Sequence, residues 1–207
     1  MHILLTDRLS CPRCGPVFGL ILIADSLEDR RVFEGSLGCS NCRCRYPISK
    51  GFVDLRPPPR TDTRDNKEIT VPKSPTLIEL AGLLGIIDGV GYVGLLGGMA
   101  GHSYALAEKL EAVEIVGVAP ELQNWDEIEG ISRIDTGPQL PFQDRSLRGV
   151  AFFGEEKLFE PQEVARVVAR SGRVVVWGGV EGWDNALDSV GMKVLVAEDE
   201  AVVAVGQ

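Results

Sequence analysis

Four cysteines are the residues of this chain whose spacing points most directly to chemistry. They form two Cys-x-x-Cys pairs, Cys11 with Cys14 and Cys39 with Cys42, separated by 24 residues. Each pair makes a tight turn that directs two thiolates at one point, and two such turns joined by a hairpin complete a tetrahedral site. The spacing therefore predicts bound zinc. Four thiolates leave no coordination position for water or substrate, so we expect this zinc to be structural.

A disulfide framework is the alternative use of paired cysteines. Disulfides persist in oxidising compartments, but the apolar stretch at the amino terminus has only three residues, whereas a signal-peptide core has about 7–15. The sequence therefore favours zinc and a cytoplasmic location. The fifth cysteine, Cys44, has two open interpretations: it is a spare buried thiol, or it competes with Cys42 for the metal.

The segment after the second pair carries a more specific pattern, with Tyr46, Pro47, Ile48 and Gly51 in order. Together with the cysteine pairs, it makes residues 8–56 resemble the small zinc-ribbon family that includes the activator subunit of tRNA and translation-factor methyltransferases. That family continues with Ile-Pro, where this chain has Phe-Val. The resemblance implies a module that binds and stabilises a methyltransferase and has no chemistry of its own.

A glycine-rich run, Gly97-Gly98-Met99-Ala100-Gly101, follows the apolar segment Tyr92–Leu96. Such a turn can bring backbone N–H groups and a helix start against a small ligand. A phosphate loop is excluded because no Gly-Lys-Ser/Thr follows. A dinucleotide site is disfavoured because no acid lies about 20 residues further on. A tight strand-to-helix turn without any ligand is the alternative interpretation.

Hydrophobic periodicity from Thr76 onward predicts alternating helices and strands. The predicted helices are Thr76–Ile86, His102–Leu110 and Pro161–Arg170, and the predicted strands are Tyr92–Leu96, Glu114–Val118, Ile131–Ile134, Gly149–Phe153 and Arg173–Trp177. A hairpin of Lys193–Ala197 and Ala201–Val205 closes the chain. This alternation predicts an α/β fold, a parallel sheet with helices on both faces.

Two segments resemble known methyltransferases. Residues 139–150, with Leu-Pro-Phe before Asp144, are similar to a segment of the ubiquinone- and menaquinone-type enzymes, and residues 163–173 are similar to their Glu-x-x-Arg-Val segment. Residues 90–207 thus resemble a class I S-adenosylmethionine-dependent methyltransferase. The resemblance implies a Rossmann-like parallel sheet that ends in an antiparallel hairpin, preceded here by a small β zinc ribbon.

The same resemblance assigns cofactor-binding positions. Glycines of the turn would hold the methionyl part of S-adenosylmethionine. An acid after the second strand would bind the ribose hydroxyls, and an acid after the third strand would bind the adenine amino group. The residues at or near these places are Gly97, Gly98, Gly101, Glu121 and Asp135. No catalytic residue is assigned.

Three departures from the family pattern fall at this site. Leu95 stands where the family has an acid, Met99 replaces the middle glycine, and Ala119 replaces the ribose acid. Two functions therefore remain open. One is an active methyltransferase with a fused zinc-ribbon activator and an unknown acceptor. The other is an inactive methyltransferase-like protein that acts as a protein-binding or scaffold partner.

Charge divides the chain into two unlike parts. The chain carries a net −9, but residues 1–60 carry +3 and residues 76–207 carry −12. With the three prolines that begin at Pro57, this asymmetry predicts a zinc ribbon at 1–56, a proline-rich linker at 57–75 and a methyltransferase-like domain at 76–207. The acidic domain disfavours nucleic acid.

The sequence also bears on membrane insertion and on partners. The apolar stretch 81–100 is interrupted by seven glycines and changes its periodicity midway, so it predicts a helix, a turn and a strand and no membrane span. A protein partner or a homo-oligomer formed through the ribbon is expected from the activator resemblance.

Overall fold

The computed structural model describes residues 1–60, 69, 74–86, 89–110 and 112–207. Most of the predicted linker, residues 61–68 and 70–73, lies outside the described residues. The boundaries 1–56, 57–75 and 76–207 stay predictions.

The amino-terminal part is a small antiparallel sheet. A 3-10 turn, Ile3–Arg8, precedes β1 (Ser10–Cys11), β2 (Gly15–Glu28), β3 (Arg31–Cys39), β4 (Arg45–Ser49) and β5 (Phe52–Asp54). Strands β2 and β3 pair from Leu20 opposite Cys39 to Glu28 opposite Arg31. This hairpin brings the two cysteine pairs to the same end of the ribbon.

The second part alternates helices and strands. Its elements are α1 (Leu77–Leu84), β6 (Gly91–Leu96), α2 (Ser103–Ala107), β7 (Val113–Val118), β8 (Ile131–Asp135), β9 (Leu147–Phe153), α3 (Pro161–Val167), β10 (Val168–Trp177), α4 (Trp183–Ser189), β11 (Lys193–Ala197) and β12 (Ala201–Val205). Helix α1 begins at a capping box, in which Thr76 and Glu79 exchange side-chain and backbone hydrogen bonds.

All three predicted helices are longer than the observed ones, and α1 spans Leu77–Leu84 within the predicted Thr76–Ile86. Residues 97–102 form a 3-10 turn, so α2 begins only at Ser103 and ends at Ala107. The helix predicted to reach Arg170 ends at Val167, because Val168 already pairs with Leu147 of β9. Between Val168 and Arg173 the pairing shifts register, and this irregularity accommodates the residues that the sequence pattern assigned to the helix.

The strands join into one sheet within the described residues, in the order β1-β2-β3-β4-β5-β8-β7-β6-β9-β10-β12-β11. Strands β8, β7, β6, β9 and β10 are parallel, and β12 and β11 are antiparallel additions. A parallel sheet that ends in an antiparallel hairpin is the arrangement that the sequence resemblance implies, so the predicted fold class is confirmed. The ribbon joins it at one edge, where β5 runs parallel to β8 with Asp54 opposite Asp135.

Helices cover both faces of the sheet, as predicted. Leu80 and Leu84 of α1 and Leu106 of α2 belong to one apolar cluster. The cluster on the other face combines Val164 of α3 and Trp183 of α4 with buried residues of the ribbon.

The ribbon fills a gap in this second face. The described connection between β8 and β9, residues 136–146, contains no helix. Leu140 and Phe142 of this connection are buried in the same cluster as Leu9 and Leu37 of the ribbon. The backbone N–H of Ser10 donates to the Pro141 carbonyl at 2.9 Å. The ribbon therefore buries sheet surface that would otherwise be exposed.

The apolar stretch 81–100 divides as predicted, because α1 ends at Leu84 and β6 begins at Gly91. Among the described residues, no helix has both the length and the apolar character needed to cross a membrane.

Candidate functional site

The four predicted ligands converge at one end of the ribbon. The Sγ atoms of Cys11, Cys14, Cys39 and Cys42 all lie within 4.8 Å of one another. Cys11 and Cys42 are 3.6 Å apart at sulfur, and Cys14 and Cys39 are 3.9 Å apart. A tetrahedron with zinc–sulfur bonds of about 2.3 Å has sulfur atoms about 3.8 Å apart. A disulfide would need about 2.05 Å. The donor set and spacing therefore fit zinc.

Hydrogen bonds hold the two turns that present these thiols. In the first turn the Cys14 N–H donates to the Cys11 carbonyl at 3.2 Å, and in the second the Arg43 N–H donates to the Cys39 carbonyl at 2.9 Å. The buried Tyr46 hydroxyl lies 3.3 Å from the Cys11 sulfur. Burial raises the pKa of Tyr46, so its hydroxyl stays protonated and can donate to a thiolate. A hydrogen-bond donor that contacts a ligand atom in this way orients the ligand for the metal.

Cys44 lies outside the four-sulfur cluster. It is half-buried, and the Arg13 guanidinium donates to its sulfur at 3.4 Å. Its backbone carbonyl accepts the N–H of Cys39 at 3.0 Å. Cys44 thus supports the second turn through its backbone, and of the two interpretations the placement fits the spare thiol better, although the side chain is not fully buried.

A cleft of about 650 Å³ opens at the carboxyl ends of β6, β7 and β8. Its volume is in the range of about 300–1,000 Å³ that is usual for small-molecule sites. Ligands of open α/β sheets bind at this edge. The residues that line it are Ile69, Gly97, Gly98, Val118, Ala119, Pro120, Glu121, Asp135, Thr136, Gly137, Pro138, Glu156, Leu158 and Phe159.

Four of the five predicted cofactor residues line this cleft. Gly97 and Gly98 follow β6, Glu121 lies in the 3-10 turn after β7, and Asp135 ends β8. Gly101 belongs to the 3-10 turn after β6 but does not line the cleft.

Met99, which replaces the middle glycine of the family pattern, does not line the cleft. Met99 is fully buried and belongs to the apolar cluster of α1 and α2. Its side chain therefore packs into the core and does not line the cleft. Replacement of the family's middle glycine leaves the cleft open.

Asp135 has a cationic neighbour that sequence reasoning missed. The Arg56 guanidinium, at the end of the ribbon, lies 3.1 Å from a carboxylate oxygen of Asp135 and also binds Asp54 through two nitrogens at 2.8 and 2.9 Å. The β5–β8 register places the two aspartates side by side. A sequence signal existed in the Asp54-x-Arg56 spacing, but its partner strand could not be known from the sequence.

Glu156 is a further cleft residue that the sequence did not single out, because two adjacent acids after a strand are typical of a solvated loop. Glu155 is exposed, as expected, whereas Glu156 is half-buried and lines the cleft. The Gly98 N–H donates to both Glu156 oxygens, at 2.9 and 3.2 Å. Gly97 has a left-handed φ of 57°, and a Cβ there would collide with the Glu156 carboxylate.

The environment of Glu156 is unfavourable to its charge. Burial raises the pKa of the Glu156 carboxyl, and the nearby carboxylates of Glu155 and Glu121 raise it further. The hydrogen bond from Gly98 opposes this rise. A cationic ligand in the cleft would relieve the same repulsion.

His102 is the last residue of the 3-10 turn that follows β6. It is half-buried, and burial lowers the pKa of its imidazole. Its Nε2 atom is buried and has no hydrogen-bond partner among the described residues. His102 does not line the cleft, so no acid–base role there follows.

No family model and no curated protein matches this chain. Among solved structures, one chain of a complex between the Haloferax volcanii Trm112 methyltransferase activator and a protein described as a methyltransferase is similar to this chain. The alignment covers 63% of this chain and 89% of that chain, at 14% identity and a TM-score of 0.47. A protein from Methanococcus maripaludis described as an S-adenosyl-L-methionine-dependent methyltransferase matches 63% of this chain and 83% of its own, at 12% identity and a TM-score of 0.49. A protein from Bacillus halodurans that is described as a methyltransferase is also similar. The alignment covers 58% of this chain and 70% of that chain, at 14% identity and a TM-score of 0.45.

Proposed function

We propose that this chain is an S-adenosylmethionine-dependent methyltransferase whose own zinc ribbon stabilises its sheet. The observation that carries the proposal is the cleft at the carboxyl ends of β6, β7 and β8, which brings Gly97, Gly98, Glu121 and Asp135 together. The methyl acceptor is left open.

The lining residues suit the parts of S-adenosylmethionine. Carboxylates of Glu121 and Asp135 can accept hydrogen bonds from ribose hydroxyls and an adenine amino group. Apolar groups of Val118, Leu158 and Phe159 offer a surface for the adenine ring. When bound, the cofactor supplies an electrophilic methyl group. The chain then has to hold and align the acceptor, which is the main requirement of methyl transfer.

Charge favours this cofactor over nucleotides. Three carboxylates line the cleft, those of Glu121, Asp135 and Glu156, and none of its described lining residues is Lys or Arg. Phosphate-bearing cofactors need cationic or N–H partners. S-adenosylmethionine instead carries a sulfonium and an ammonium group, which carboxylates attract.

The ribbon is proposed to act within the chain. Its strand β5 extends the sheet beside β8, and its Arg31 is buried against Glu114 of β7 at 2.7 Å. The proposed units are residues 1–56 for the ribbon, 57–75 for the linker and 76–207 for the methyltransferase part. A separate protein partner or a second copy of the chain at the ribbon is compatible with this arrangement.

Calorimetric titration of the full chain with S-adenosylmethionine and with its demethylated product tests the proposed function. We expect micromolar dissociation constants for the zinc-loaded protein. Thr136→Trp places a large side chain in the cleft and should weaken binding by at least about 100-fold, because the ligand and the indole would compete for one volume. Thr136→Ser is the matched control and should bind like the unchanged protein. Dissociation constants in the millimolar range or weaker for both ligands would contradict the proposal and favour an inactive, protein-binding role.

A further inference from the structure

The carboxylate of Glu156 accepts the hydrogen bond of the backbone N–H at the start of the glycine turn. Both of its oxygens accept from the Gly98 N–H, and its position against Gly97 excludes any larger residue there. Backbone N–H groups of such a turn usually serve an anionic group of the ligand. In this chain the Glu156 carboxylate therefore places a negative charge at the end of the cleft that the glycine turn forms.

The remaining carboxylates differ in how their charge is balanced. Asp135 faces the Arg56 guanidinium at 3.1 Å. Glu121 and Glu156 form no ion pair among the described residues, and the two repel each other within the same cleft. A ligand that brings positive charge would balance them, whereas a ligand without net charge would not.

S-adenosylmethionine and its demethylated product differ by this charge. The cofactor carries a sulfonium, an ammonium and a carboxylate, and so has one net positive charge. Methyl transfer converts the sulfonium into a neutral thioether, so the product has no net charge. The two ligands otherwise have nearly the same shape, which makes the charge the main property by which the cleft can distinguish them.

We propose that Glu156 is a specificity residue that makes the cleft prefer the cationic cofactor over its neutral product. This inference rests on the proposed function. Once the methyl group has left, the attraction to Glu156 weakens, and the product is released more readily. Glu156 acts by its charge on the bound ligand and takes no part in the transfer of the methyl group.

The test compares dissociation constants of the cofactor and its product for three variants of the full zinc-loaded chain. The unchanged protein should bind the cofactor more tightly than the product. Glu156→Gln keeps the size of the side chain but removes its charge, and should reduce this preference by at least about tenfold, which corresponds to about 1.4 kcal/mol. The loss should come mainly from weaker cofactor binding.

Two further variants serve as controls. Glu155→Gln removes the same charge one residue earlier, but Glu155 is exposed and does not line the cleft, so the preference should change by less than about threefold. Glu156→Asp keeps the charge and should retain most of the preference. Melting temperatures of all variants identify any loss that comes from misfolding.

Three results would overturn the inference. An unchanged preference in Glu156→Gln, with both ligands still bound, would show that Glu156 does not select by charge, while the proposed function would stand. Tighter binding of both ligands to Glu156→Gln would identify Glu156 as an internal competitor for the Gly98 N–H. Absence of binding of either ligand to the unchanged protein would reject the proposed function together with the inference.

Discussion

Cys39→Ser is expected to remove the bound zinc and to unfold the amino-terminal ribbon. Three remaining thiolates cannot complete the tetrahedral site, and binding of structural zinc typically supplies about 10–16 kcal/mol of apparent free energy to so small a unit. Metal analysis should give one zinc per chain for the unchanged protein and much less than one for the variant. Thermal denaturation should show a large fall in melting temperature.

The loss should extend beyond the ribbon. Leu140 and Phe142 of the second part of the chain are buried in the cluster that contains ribbon residues. Unfolding of the ribbon would expose them, so chelation of zinc should also destabilise residues 76–207.

Cys44→Ser is the matched control for the zinc experiment. Cys44 lies outside the four-sulfur cluster, so this variant should keep its zinc and nearly all of its stability. Full zinc content and an unchanged melting temperature for Cys39→Ser would contradict the assigned site. Zinc loss in Cys44→Ser would instead make Cys44 a ligand.

A buried group of charges joins the ribbon to the sheet. Glu127 has only 7% of its side chain exposed, and it accepts hydrogen bonds from Arg31 of the ribbon at 2.7 Å and from Arg133 of β8 at 3.0 Å. Arg133 is 1% exposed and also donates to the Lys50 carbonyl of the ribbon. The Glu127 carboxylate therefore pairs with guanidinium groups from the two parts of the chain. Arg31 also pairs with Glu114, whereas Arg133 has no second carboxylate partner among the described residues.

Glu127→Ala is expected to lower the free energy of unfolding by about 3–5 kcal/mol, because removing one partner leaves buried charge without compensation. Urea denaturation followed by circular dichroism measures this loss. Glu129→Ala is the matched control: Glu129 is exposed two residues further on, so its removal should change stability by less than about 0.5 kcal/mol. A similarly small effect for Glu127→Ala would show that the junction does not depend on this charge group.

The same junction explains a glycine of the Tyr-Pro-Ile segment. Gly51 has a left-handed φ of 75°, and a Cβ there would collide with the carboxylate of Glu127. The sequence motif marks this position, but the reason for the glycine lies 76 residues away in the chain.

Local spacing in the sequence was sufficient to predict much of this protein. The spacing of two residues between the cysteines of each pair determines which thiols can share a metal. Apolar periodicity over about 5–10 residues determines where β6, β7 and the final hairpin lie. These features depend on near neighbours in the chain. The predictions failed first at element ends, where pairing with another strand decides the outcome, as at Val168.

Only the tertiary structure decided how distant segments meet. It places Met99 in the core, the Glu156 carboxylate against the Gly98 N–H, and Arg56 beside Asp135. Each of these outcomes depends on strand order and register between segments far apart in the chain, and one sequence contains no local signal for that pairing. The four-cysteine cluster could therefore be predicted from the sequence, whereas the charge of the cleft depends on the fold that brings its carboxylates together.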